Sequence, residues 1–124
     1  MAALLALCAL FTISCRAQSV DKAPEHAVIV HFNYGSTDLG PLFALERKLE
    51  QVIFLAKAGE YDGNEIATDG SDGYLYMYGP DADQLFEIVK PELESSSFMR
   101  GATVTRRYGP PEDGVRVSTV TISP

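Results

Sequence analysis

From His26 to Tyr34 the chain reads HAVIVHFNY, with β-branched and aromatic residues on both alternating phases, and Gly35-Ser36-Thr37-Asp38 closes the run. Apolar groups on both phases predict a strand in the middle of a sheet. The period then becomes helical: Leu42, Leu45, Leu49, Val52, Ile53 and Ala56 fall on one stripe, with Glu46, Arg47, Lys48, Glu50, Gln51 and Lys57 on the other faces. Pro41 suits the first turn of this helix, and Gly59 is the predicted left-handed cap at its end. Glu60 to Thr68 and Tyr74 to Gly79 flank Asp69-Gly70-Ser71-Asp72-Gly73, whose residues permit a tight reversal, so the two segments predict an antiparallel hairpin. Asp81 stands three residues before Gln84, the spacing of a capping box, and Ala82, Leu85, Phe86, Val89 and Leu93 follow at helical intervals. Pro91 is expected to kink or end that second helix, because its nitrogen has no proton to donate. Ala102 to Tyr108 and Val115 to Ile122 surround a Gly- and Pro-rich turn and predict a terminal hairpin. The apolar phase changes between Val117 and Val120, which predicts either a bulge near Ser118 or an edge strand.

The resulting order is β-α-β-β-α-β-β. Two helices, each with one apolar stripe, cover one face of an antiparallel sheet in the split β-α-β arrangement. The predicted fold class is therefore α+β, a ferredoxin-like sandwich with an added C-terminal strand, formed by residues 26–124 as one domain. Length agrees, since 124 residues with 46% apolar content make one core and not two. The formal charge of −7, from 17 Asp and Glu against 10 Lys and Arg, argues against nucleic acid as a partner. Affinity for phosphate backbones comes from clustered positive charge.

Residues 1–14 contain no Asp, Glu, Lys or Arg, and their apolar run is too short for a permanent membrane helix. They predict a signal peptide. The run ends at Thr12-Ile13-Ser14-Cys15, which resembles the lipobox of bacterial lipoproteins, where a small residue precedes a Cys that becomes the lipidated start of the mature chain. That resemblance implies a lipid on Cys15, membrane attachment through it, and a place in the cell envelope. Cleavage after Ala17 stays open as the alternative, giving a periplasmic or secreted chain. Residues 15–25 are polar, include Pro24 and predict a tether. With Cys8 in the leader and Cys15 spent on lipid, no thiol is left for catalysis or metal binding.

A second resemblance covers His26 to the C-terminus. Gly59-Glu60-Tyr61-Asp62-Gly63-Asn64-Glu65, Tyr76-Met77-Tyr78-Gly79-Pro80-Asp81-Ala82-Asp83 and Arg107-Tyr108-Gly109-Pro110 are similar to segments of a family of short, uncharacterised bacterial proteins. The resemblance implies a compact α+β domain and brings no activity with it.

Candidate chemistry is sparse. Tyr74, Tyr76 and Tyr78 alternate with Leu75 and Met77, so strand geometry puts the three phenols on one face, the one left open if Leu75 and Met77 meet the helices. Such a face suits dimerisation, base stacking, against which the net acidity counts, or a flat ligand, and the partner expected is a second copy or an unknown envelope protein. The acidic turn from Asp69 to Gly73 has some look of a calcium loop but misses its ligand pattern, and turn chemistry explains it without metal. No metal or cofactor is expected. His31 is read first as a structural histidine. As an alternative it is the acid or base of a small dimeric enzyme, paired with Tyr76 and acting on a hydrophobic metabolite between sheet and helices. Ser95-Ser96-Ser97 reads as a loop. The leading expectation is a noncatalytic binding or self-associating domain that uses Tyr74, Tyr76 and Tyr78. An immunity-type protein that binds a basic toxin is a further alternative.

Overall fold

Strand β1 (His26–Asn33), helix α1 (Gly40–Ala56), strands β2 (Glu60–Ile66) and β3 (Asp72–Gly79), helix α2 (Ala82–Ser95), a short 3-10 turn (Ser97–Met99), and strands β4 (Thr103–Arg107) and β5 (Val117–Thr121) follow in that order. They come from a computed structural model that describes residues 25–124. The signal-peptide reading, Cys15, and the tether as far as Pro24 lie outside the described residues. The sheet order is β2-β3-β1-β4-β5, with each neighbouring pair antiparallel. This is the ferredoxin-like α+β sandwich, extended by β5 beyond β4.

The central position of β1 follows from its residues. Val28, Val30 and Phe32 are almost fully buried on the helix side, and their partners across β3 are Met77, Leu75 and Gly73. Val104 of β4 lies opposite Val30 on the other flank. Helix α1 supplies Leu42, Leu45, Leu49 and Ile53, and α2 supplies Ala82, Leu85, Phe86, Val89 and Leu93. Full burial of each large side chain in this layer contributes about 1.5–3 kcal/mol. The packed layer holds the helices on one side of the sheet.

One local expectation is corrected and two that carried alternatives are narrowed. The left-handed position at the end of α1 belongs to Lys57 (φ 51°), with the amides of Lys57 and Ala58 bonded to the Phe54 and Ile53 carbonyls. Gly59 serves a different need: at φ 142° it passes so close to β3 that a Cβ would lie 1.9 Å from the Tyr78 carbonyl oxygen. Helix α2 also continues through Pro91 to Ser95. Pro91 and Glu87, the residue whose carbonyl loses its donor, are both exposed, so water can take the donor's place while Val89 and Leu93 remain packed. The expected bulge near Ser118 does not form, because β4 and β5 keep one register from Thr103↔Thr121 to Arg107↔Val117. Strand β5 is instead the expected edge. Val117 lies exposed on the open face while Val120 and Ile122 pack toward the core, and this accounts for the apparent change of phase. Asp81 caps α2 as expected, its Oδ1 accepting from the Asp83 and Gln84 amides at 3.0 and 3.1 Å.

Leu75→Ala should destabilise the domain by about 2–5 kcal/mol, since it removes a fully buried side chain from the core beside Val30 of β1. Leu55→Ala, at a position 70% exposed, should stay within about 0.5 kcal/mol of the parent. Urea denaturation followed by circular dichroism reads both, and equal losses would contradict the assignment of the core.

Candidate functional site: the uncovered sheet face

Because Leu75 and Met77 turn toward the helices, Tyr74, Tyr76 and Tyr78 share the opposite face of β3. Their neighbours on that face are His31, Ile29 and Ala27 of β1, in register with Tyr74, Tyr76 and Tyr78 respectively. On the far flank β4 places Thr103, Thr105 and Arg107, opposite Thr121, Thr119 and Val117 of β5. Neither helix covers this side. The three residues singled out from sequence are therefore brought together.

They are also organised. The His31 and Tyr74 rings stack with centroids 4.6 Å apart and planes 23° from parallel, and Tyr74 and Tyr76 continue the stack at 6.2 Å and 15°. His31 Nε2 lies 2.8 Å from Asp72 Oδ2, and the Tyr76 hydroxyl donates to Glu65 Oε2 at 3.1 Å. Partial burial raises the pKa of the Tyr76 phenol, and the Glu65 hydrogen bond raises it further. Burial also raises that of Tyr78, helped by the charge of Asp62 and opposed by Arg107. Both phenols remain neutral donors at physiological pH.

The His31 readings need correction in two respects. Register sets His31 against Tyr74 and gives Tyr76 to Ile29, so the expected His31 and Tyr76 pair does not form across β1 and β3. Nor does His31 face the space between sheet and helices. Phe32, Leu42, Leu49, Ile53, Leu75 and Met77, each at most 1% exposed, fill that layer. The imidazole is instead half-exposed on the open face, held by Asp72. His26 is a structural histidine: its Nδ1 accepts from the Ala82 amide at 3.1 Å, and its ring meets Tyr108 edge-on at 5.8 Å.

Strand β2 brings the charge. The pairing of β2 with β3 shifts between Tyr61 and Asn64, so Asp62 and Gly63 together oppose Tyr76 in a β-bulge, with Gly63 at φ 107°. The extra residue resets the alternation. Tyr61, Asn64 and Ile66 face the helices, while Glu60, Asp62 and Glu65 all reach the side of the phenols. On the helix side, the Tyr61 hydroxyl donates to Glu46 Oε1 at 2.6 Å, and Asn64 Nδ2 donates to the same oxygen. One carboxylate of α1 thus fastens the edge strand. Burial of Tyr61, with the hydrogen bond to Glu46 and the charges of Glu46 and Glu50, pushes its phenol well above the ordinary range.

Neither the bulge nor the Glu46 clasp was anticipated. A signal did exist: Tyr61 and Ile66 are five residues apart, an odd spacing that a regular strand would send to opposite faces, and Gly63 lies between them. Asp69 behaves as turn chemistry predicts. Its Oδ1 accepts from the Ser71 amide at 3.0 Å, and hydrogen bonds from Ser71 hold its carboxyl below the usual range.

The fold and the uncovered face together define a ferredoxin-like domain with a stacked phenol and imidazole surface bordered by carboxylates. Comparisons with family models, with curated proteins and with solved structures find no match to this chain. Among the described residues no helix is long and apolar enough to cross a membrane.

The Tyr61 clasp has a pH signature. A phenol whose folded pKa exceeds its unfolded value near 10 contributes stability that is intact below about pH 10 and is lost as pH rises further. Tyr61→Phe should be less stable by about 1 kcal/mol at pH 8, and its deficit should shrink above about pH 10 as the parent loses this contribution. Urea midpoints between pH 8 and 11 test this, and parallel pH curves would contradict it.

Proposed function

We propose that this chain is an exported, lipid-anchored, noncatalytic interaction domain that binds through the sheet face bearing Tyr74, Tyr76 and Tyr78. The observation that carries the reading is the His31, Tyr74 and Tyr76 stack on the side of the sheet that the helices leave uncovered. Aromatic rings supply large contact area at small entropic cost, and their hydroxyls keep the face wetted when no partner is bound. The occupant is a second copy or another envelope protein. Nucleic acid is disfavoured by the acidic balance of the chain. The anchor rests on the apolar leader and on Cys15, and it would confine the domain to a membrane surface, raising its effective concentration there.

Tyr76→Ser should weaken self-association in sedimentation, or partner capture in pull-downs, while the thermal unfolding curve stays close to that of the parent. Unchanged sedimentation together with unchanged pull-down profiles would overturn the docking face. For the anchor, growth with a fatty-acid analogue should label the parent chain and leave Cys15→Ser unlabelled. Equal labelling of the two, or none in the parent, would remove the lipid.

A further inference from the structure

We infer that the open face takes a protein partner that presents lysine or arginine side chains to its β2 flank. This rests on the docking face proposed above and adds the chemistry of the occupant. Glu60, Asp62 and Glu65 are exposed and stand side by side with the tyrosines, Glu65 being brought there by the bulge at Asp62 and Gly63. The three ion pairs among the described residues, His31 with Asp72, Lys90 with Glu94, and Arg106 with Asp83, use none of them. Like charges gathered on one flank repel one another, and none of the three has a cationic side chain paired with it. A cationic partner turns that repulsion into affinity.

The phenols beside them complete the match. Lysine and arginine carry apolar stems that pack on aromatic rings, and their charged ends are drawn both to the π-electrons and to carboxylates beyond the ring edge. A guanidinium laid along Tyr76 has Glu65 within reach, because the Tyr76 hydroxyl already touches that carboxylate. A second copy of this chain is a poorer complement. Among the described residues the one lysine or arginine that strand alternation places on this face is Arg107, at the end of β4, and its Nε already donates to the Gly109 carbonyl at 2.8 Å. Two copies would each bring a net −7. Electrostatic complementarity of this kind governs partner choice and capture rate, and it weakens as salt rises.

The test uses the full-length protein in dodecyl maltoside micelles and a fluorescein-labelled twelve-residue peptide of alternating Arg and Ala, read by anisotropy. A Glu and Ala peptide of the same length is the control. The Arg peptide should bind saturably and the Glu peptide should not. The open-face triple variant Glu60→Gln, Asp62→Asn, Glu65→Gln should lose about tenfold in affinity, and Tyr76→Ser should also weaken binding. The triple variant Glu87→Gln, Glu92→Gln, Glu94→Gln on α2, which removes the same charge from the other side, should change affinity by less than about twofold. Circular dichroism confirms that both triples are folded. Equal losses in the two triples, or no saturable binding of the Arg peptide, would overturn the cationic partner. The docking face would then still stand or fall by its own sedimentation and pull-down readouts. Loss in the open-face triple with full affinity in Tyr76→Ser would remove the phenols and overturn the inference as well.

Discussion

Every side chain of β3 is sorted by its antiparallel register with β1, and the rest of the molecule depends on that pairing. With Val30 opposite Leu75 and Val28 opposite Met77, the aliphatic groups of both strands form the floor on which α1 and α2 pack. The same register leaves Tyr74, Tyr76 and Tyr78 no choice but the other face. A slip of one residue would bury three phenols under the helices and expose Leu75 and Met77, a penalty of the same order as the whole stability of a domain this size. The phenol face is thus a consequence of core packing, while its usefulness comes from what the neighbouring strands add to it.

Strand β2 adds the charge, and it does so by departing from regular pairing. Had the alternation continued unbroken after Tyr61, Glu65 would point toward the helices and Ile66 toward water. Gly63 takes a backbone conformation that other residues adopt at a cost of about 1–3 kcal/mol, and the strand gains one residue relative to β3. Glu65 is thereby delivered to Tyr76, and Asn64 to Glu46. The second donor of the clasp and the third carboxylate of the open side are two results of one bulge. The edge strand is also protected, since a bulged, acidic edge is a poor template for pairing with another chain.

Much of this could be read from the amino-acid order. The helical stripe of α1, the Asp81 cap and the alternation of Tyr74 to Tyr78 with Leu75 and Met77 are local patterns, and local patterns suffice to give the element order and the ferredoxin-like layering. What escaped the reading depends on register. His31 could be placed on its face but not against Tyr74, because nothing within β1 or β3 alone states which residues meet. Glu46 looked like one more exposed helix carboxylate, and only the return of β2 across α1 gives it two donors. Pro91 does not end α2, because a buried stripe continues on both sides of it. The leader, with Cys15, is a sequence pattern alone, so the anchor stays a proposal.

The bulge of β2 against β3 is the feature that carries Glu65 to the phenols and Asn64 to Glu46, and cross-strand nuclear Overhauser effects report it most directly. The account predicts contacts that place Tyr61 opposite Met77, Asn64 opposite Leu75 and Glu65 opposite Tyr74, with Asp62 and Gly63 both facing Tyr76. A continuous register, with Asn64 opposite Tyr74 and Glu65 opposite Gly73, would contradict it. In that case Glu65 would lie on the helix side, and the acidic border of the phenol face would not exist as described.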